Sequence, residues 1–530
     1  MHEVEIIVGL LAVVAVLVML AHRFGIPYPI PLVLGGLALG FVPGLPPVAM
    51  PPELVLLVFL PPLLYSEALT LSWRDIKTNL RPIGLLSIGL VAVTTVLVAV
   101  AAHAVVPGLP WAAAFVLGAI VAPTDEVAVA AIAEQLPIPR RLLVIIEAES
   151  LVNDAISLVL YRLAATAVVA GTFSWLSGGI QFLLASFGGV VIGFVVGASV
   201  NWARRRLTPD PLVESTISLL TPFVAYLPAE ALHVSGVLAV VTTGLYLGRQ
   251  VPRFVTSATR LQTMGMWRMI DFLLNSLLFI LLGLQLHPIL DRLTDRPKPT
   301  LLLDATIISL CVIVTRIIWV TVESYLPALV SRRARKTVPS WKQVSIIGWT
   351  GIRGGISLAA ALAIPLLTNR GAPFPQRDML IFLTFTVILS TLVLQGLSLP
   401  VLIKKLDMKE DEGVAYEETR ARLQTSQAGL ARLEEIAKSE TLPEEVVADL
   451  REHLTNRTER FEARTQGSAD AGYETRAAVY RRLRREVVDA ERRTVVSLRD
   501  QSAISDELMQ RLQRTLDLEE QRLETEEDNF

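Results

Sequence analysis

The chain is poor in cysteine, in histidine and, for most of its length, in charge. A single cysteine, Cys311, excludes an intrachain disulfide and, set in an apolar run, reads as a small buried hydrophobe. None of the six histidines falls in a metal-ligand spacing, and there is no GxxxxGK[ST] phosphate loop, so no cofactor and no built-in nucleotide-driven motor are expected. Aromatic residues make up 6 % of the chain and charged residues 18 %, below the roughly one-quarter of an ordinary soluble domain. Apolar residues fill the difference: 52 % of the chain is hydrophobic, with a mean hydropathy of +0.53. The charge is also unevenly placed, because about half of it lies in the last 123 of the 530 residues. This predicts two domains, a membrane domain over 1–407 and a charged cytoplasmic tail over 408–530.

Apolar stretches near the roughly 20 residues needed to cross a bilayer recur thirteen times. Their limits are 4–22, 29–46, 52–70, 82–106, 111–134, 142–169, 178–202, 211–228, 234–248, 266–287, 301–325, 342–367 and 378–402. The first has an acidic flank, Glu3 and Glu5, where a signal peptide is basic, so it is kept as a span. The odd connections hold the arginine-rich clusters: Arg74, Lys77 and Arg81, then Arg140 and Arg141, Arg204 to Arg206, Arg249, Arg253 and Arg260, and Arg332, Arg333, Arg335 and Lys336. Even connections are nearly free of Lys and Arg until Arg292. The positive-inside rule then puts the N-terminus outside and the tail in the cytoplasm of a cell whose plasma membrane holds the chain.

Two polar clusters interrupt the spans. Carboxylates at the bilayer centre cost several kcal/mol and mark ion or proton pathways. The sixth span carries Glu149-Ser150-Leu151-Val152-Asn153-Asp154, in which Ser150 and Asp154 share one helical stripe and Glu149 and Asn153 the next. Such groups could instead bond one another and tie helices together. In the fifth span, Pro123-Thr124-Asp125-Glu126 reads either as a proline kink or as a break that frees carbonyl oxygens beside a carboxylate, a hard-cation donor set. Arg316 and Arg353 lie deep in later spans and need a counter-charge, for which Glu149 is the candidate partner of Arg316. Arg353 sits in Gly351-Ile352-Arg353-Gly354-Gly355-Ile356-Ser357, which predicts an unwound twelfth span. Broken fifth and twelfth spans as counterparts in an inverted repeat point to a midplane site.

Ala122-Pro123-Thr124-Asp125, the stretch from Glu147 to Ala155, and the stretch from Gly351 to Ser357 resemble the signatures of bacterial sodium/proton exchangers of the monovalent cation:proton antiporter-1 family. Leu60-Pro61-Pro62 and Leu274-Asn275-Ser276 add to the likeness. The resemblance implies an all-α, polytopic homodimer of thirteen-span protomers with inverted repeats and two broken crossing helices. Asp154 is then the carrier of cation and proton, with the Thr124 carbonyl, Asp125 and Ser150 as sodium ligands. Glu149 pairs with Arg316, and Arg353 supports the broken helices. Asn153 stands where electroneutral members of the family have asparagine, and Glu126 where proline is usual.

The implied activity is electroneutral exchange of intracellular sodium or lithium for external protons at Asp154. A potassium/proton exchanger would use the same site. A cation symporter or channel, and an intramembrane aspartyl hydrolase, are the alternatives from other classes. The partners expected are sodium, lithium or potassium ions, protons, the lipid bilayer and a second copy, with no nucleic acid. Glu67, Asp271 and Gln285 read as span-end or scaffold groups. The tail predicts charged helices, including 474–499 and 504–525, a capped start at Thr441-Leu442-Pro443 and a linker over 466–472, in a regulatory or dimer-stabilising role.

Overall fold

The computed structural model describes residues 2–42, 52–133, 136, 138–171, 175–206, 210–250, 256–293, 296–330, 338–407, 412–440, 442–465, 471–501, 503 and 505–527. Arg253, Arg332, Arg333, Arg335, Lys336, Thr441 and residues 466–470 lie outside them. The chain divides into a compact unit over Met1–Glu410 and a second over Asp411–Phe530. Among the described residues both are helical, apart from one isolated bridge between Leu367 and Pro373.

Each of the thirteen apolar stretches is a helix or a broken helix. They are α1 (His2–Phe24), α2 (Pro29–Gly40) and α3 (Pro52–Thr70), then, after a short α4 (Trp73–Thr78), the continuous helical stretch Leu80–Val105. That stretch comprises α5 (Leu80–Gly84), a π-helical turn over Leu85–Leu90, and α6 (Val91–Val105). The fifth is split into α7 (Trp111–Val121) and α8 (Val127–Ala133). Next come α9 (Arg140–Ala170), α10 (Trp175–Arg206), α11 (Pro211–Ala231), α12 (Gly236–Gln250), α13 (Ser257–Arg292) and α14 (Lys298–Val330). The twelfth is split into α15 (Trp341–Trp349) and α16 (Gly355–Leu362), and α17 (Arg377–Leu406) closes the unit. The twelfth stretch is shorter than its hydropathy suggests: beyond Leu362 the chain turns, and Phe374 returns a hydrogen bond to the Leu366 carbonyl at 3.0 Å.

Local chemistry sets the boundaries. Asp210 accepts from the amides of Leu212 and Val213 with Pro211 at the first helical position, which starts α11. Ser340 and Gln343 form a reciprocal capping box at α15, and Gly171, at φ 73°, ends α9. Among the described residues, six helices are individually long and apolar enough to span a bilayer. α9 is longer than most, at 31 residues, but carries carboxylates in its middle.

The spans sort into two packing groups. α1, α2, α3 and α10 to α13 pack mainly on one another, and α6 to α9 with α14 to α17 form the other group. The contact of α2 with α13 needs bare backbones: a methyl on Gly36 would run into the Ile280 carbonyl, and one on Gly283 into that of Val33. α3, α13 and α17 also touch across the groups, and the broken helices lie among these contacts.

The second unit holds α18 (Glu412–Ser439) and α19 (Glu444–Thr465), which pair, and α20 (Ala471–Asp500) and α21 (Asp506–Glu527), which pair likewise. Arg451 bonds Glu434 at 2.6 Å, and this contact holds Glu434 below the usual carboxylate range. Arg484 and Arg492 of α20 reach Glu519, Asp517 and Glu520 of α21, so both guanidiniums are turned to ion pairing within the hairpin.

Candidate functional site

The two broken helices meet at their breaks. Pro123 cannot donate a backbone hydrogen bond, and the segment after it leaves α7 before α8 begins. The Asp125 amide donates instead to the Ile352 carbonyl in the unwound segment of the twelfth span, at 2.8 Å. The Asp125 carboxylate accepts from the Val127 amide at 2.8 Å, capping the first turn of α8. It also lies against the start of α16, so closely that a methyl on Gly354 would fall on its Oδ2. At the opposite ends of the half-helices stand cations. Arg353 Nε donates to the Val121 carbonyl at the end of α7, and Arg316 Nε to the Ile347 carbonyl near the end of α15, each at 3.1 Å. An acid at helix starts and guanidiniums at helix ends match the sign of every exposed dipole at the crossing.

α9 lays its polar stripe along this crossing. Ser150 donates to the Thr124 carbonyl at 2.8 Å, Asn153 Nδ2 donates to Thr124 Oγ1 at 2.9 Å, and that hydroxyl donates on to Glu149 at 3.3 Å. Arg316 forks both oxygens of Glu149, one of them at 3.0 Å. Glu149, Arg316 and Arg353 are wholly buried, and Asp154 is 3 % exposed. Gly351 has no room for a side chain because Arg316 and Arg353 pass on either side of it. Pro123 is therefore part of a true break, and the residues named for the site are gathered in one place. Glu149, Asn153, Arg316 and Arg353 bond the scaffold, whereas Asp125, Thr124, Ser150 and Asp154 border a common space.

That space is a cavity of about 10 Å³, room for one water-sized body. Besides those four residues, it is lined by Glu67 of α3, Asn275 of α13, and Gly354, Gly355 and Ser357 at the start of α16. Glu67 corrects the reading of that residue as a span-end group: it faces the same space as Asp125 and Asp154. Only the packing of α3 on α16 puts it there, and no local pattern announces it. Asp271, bonded to Ser66, stands near enough to Glu67 for their charges to interact. Glu126 likewise interacts with Glu67, Glu147, Asp125 and Asp154, so it borders the acidic region rather than bulk water alone. One oxygen each of Asp125, Glu67 and Glu126 has no hydrogen-bond partner among the described residues.

The fit at Gly354 gives a direct test. Gly354→Ala forces the Asp125 carboxylate aside, an overpacking that costs about 1–3 kcal/mol. Half-saturating cation concentration is expected to rise at least about tenfold, while the amount of folded protein in the membrane stays near native. Unchanged cation dependence would remove Asp125 from the site.

A family model described as the transmembrane sodium/hydrogen exchanger matches residues 9–405. An uncharacterised Na(+)/H(+) exchanger of Mycobacterium tuberculosis is 38 % identical over 98 % of this chain and 96 % of its own. The chain belongs to the sodium/hydrogen exchanger family. This family member also shares 32 % identity with an uncharacterised Na(+)/H(+) exchanger of Escherichia coli, over 93 % of this chain and 94 % of that one. It is 30 % identical to a sodium, potassium, lithium and rubidium/H(+) antiporter of Bacillus subtilis, over 96 % of this chain and 77 % of the relative. The fold is that of the sodium proton antiporter MjNhaP1 of Methanocaldococcus jannaschii, with a TM-score of 0.62 and 19 % identity over 77 % of this chain and 99 % of that one. These likenesses make it a multi-pass membrane protein of the monovalent cation:proton antiporters.

Proposed function

We propose that this antiporter exchanges intracellular sodium or lithium for external protons, one for one, with Asp154 as the group that both occupy in turn. The observation that carries this reading is the donor set around one small cavity: the carboxylates of Asp154, Asp125 and Glu67, the Ser150 hydroxyl and the Thr124 main chain. Oxygen donors of this kind suit a hard monovalent cation. Glu149 is already committed to Arg316, so it stays out of the exchange, and Asn153 adds no second charge beside Asp154. A cation and a proton on one carboxylate exclude each other. If only the loaded carrier changes sides, influx of one drives efflux of the other. In this mechanism α9 and the broken helices move as a unit against α3, α11 and α13, with the N-terminus outside and the second unit in the cytoplasm of a plasma-membrane protein. A homodimer belongs to the same proposal; few of the residues in the apolar stretch of α10 are buried, which offers a face for lipid or for a second copy.

The name of the Bacillus subtilis relative keeps a potassium/proton reading in view. Proton movement in everted vesicles or proteoliposomes, on addition of sodium, lithium or potassium with the membrane potential clamped, separates the two. Sodium and lithium are expected to discharge a preset proton gradient. A response to potassium alone changes the substrate, and no cation-coupled flux from folded protein rejects antiport.

A further inference from the structure

Asp154, Leu158 and Arg162 recur every four residues on one stripe of α9, so Arg162 lies two turns, about 12 Å, from the carboxylate toward the Ala170 end. Leu158, 3 % exposed, fills the step between them. At Arg162 the helix reaches across to the other packing group. Nη1 donates to Glu230 at 2.6 Å and Nη2 to the Tyr226 hydroxyl at 3.1 Å, both residues lying on one face of α11. Around this bridge lies an open cleft of about 1160 Å³, bordered by Val159 and Thr166 of α9 and by Leu227 and Ser235.

The bridge is fixed at one end and free at the other. Glu230 Oε1 also accepts from the Gly236 amide at the start of α12, at 3.2 Å, and a methyl on Gly236 would press within 2.6 Å of the same oxygen. Glu230 thus belongs firmly to the α11–α12 side, and α9 brings or withdraws the cation. The side chains of Arg162 and Glu230 are 32 % and 31 % exposed, so the pair is not sealed in the protein interior and can separate without leaving either charge fully enclosed by protein. The Glu149–Arg316 pair, at 0 % exposure, has no such freedom. A second ion pair that joins the two groups, Arg292 to Asp378 at 3.5 Å, ties the C-terminal end of α13 to the start of α17.

We propose that Arg162, Glu230 and Tyr226 form a latch that shuts the transport path at the Ala170 end of α9, and that it must open for Asp154 to face that side. This rests on the alternating-access reading above. With the latch closed, the site communicates only with the Arg140 end; when α9 shifts, Arg162 leaves Glu230, and the α12 amide keeps the freed carboxylate in place.

The test uses Leu158→Cys as a reporter in a Cys311→Ser background, labelled by a membrane-impermeant maleimide from either side, in intact cells and in everted vesicles. Glu230→Gln and Arg162→Gln are each expected to raise the labelling rate from the Ala170 side about two- to fivefold. Arg162→Lys, which keeps the charge, should fall between these and the native rate. Tyr226→Phe removes one hydrogen bond and no charge, should give a smaller rise, and keeps the test open if a charge variant fails to reach the membrane. Equal rates in all forms, at native protein levels, overturn the latch. Sodium-driven proton flux of the native chain is read in parallel. Its absence counts against antiport, whereas equal labelling with flux present counts against the latch alone.

Discussion

Asp154→Asn is expected to yield a protein that inserts and folds at native levels and moves no protons in response to sodium or lithium. Asparagine keeps the shape of the side chain and removes its charge. A unit charge 4 Å from a cation contributes about 4 kcal/mol at an effective dielectric of about 20, which corresponds to roughly a thousandfold in affinity. Asp125 borders the same cavity but is already held by the Val127 amide and pressed against Gly354, so it is not free to take over the role. Folding should survive because Asp154 is not the counter-charge of a buried guanidinium; that position belongs to Glu149. The assay is proton flux in proteoliposomes, with protein recovered in the membrane as the control. In the native chain the same competition sets the sign of the pH dependence: half-saturating sodium rises as the medium becomes more acid, and a sodium dependence indifferent to pH would contradict a shared carboxylate. Flux retained by folded Asp154→Asn would move the carrier elsewhere in the acidic cluster.

The spans and their breaks are legible in the sequence because both follow from local chemistry. Apolar length marks a helix, Pro123 and the glycines at 351 and 354 mark where one is interrupted, and each unwound segment contains those residues. The pairing of Glu149 with Arg316 is legible for a different reason: a charge that cannot reach water must find its opposite, and few opposites are available at that depth. Glu67 has no such signature. An acid a few residues from the end of an apolar run looks like an interface group until α3 is placed against α16. The Asp125 amide bond to Ile352 is equally silent, since it joins two distant breaks through backbone atoms that every residue carries. The premature end of the twelfth stretch at Leu362 is hidden as well, because Ile364, Leu366 and Leu367 keep the hydropathy high through a turn.

Glu149→Gln carries the opposite signature to Asp154→Asn, and the contrast separates a structural tie from a carrier. Arg316 is wholly buried, and its guanidinium meets the two Glu149 oxygens and the Ile347 carbonyl. Arg353, also wholly buried, donates through Nε and Nη1 to the main-chain carbonyls of Val121 and Gly351, while its Nη2 has no hydrogen-bond partner and no carboxylate is in contact among the described residues. Its charge interacts with that of Glu149 all the same. Glutamine at 149 therefore leaves two guanidiniums in the bundle without their shared anion. Breaking one buried pair from one side costs about 3–5 kcal/mol. The expected outcome is a large fall in the fraction of protein that stays monodisperse on heating in detergent, with transport lost because the protein is lost. Replacing both partners removes the stranded charge, so Glu149→Gln with Arg316→Met should recover part of that stability, while the capping of the Ile347 carbonyl remains lost. Should Glu149→Gln prove as heat-resistant as the native chain, the pair is not what holds α9 to α14. The anion would then be free to take part in exchange as a second carboxylate, and the one-for-one stoichiometry would no longer follow.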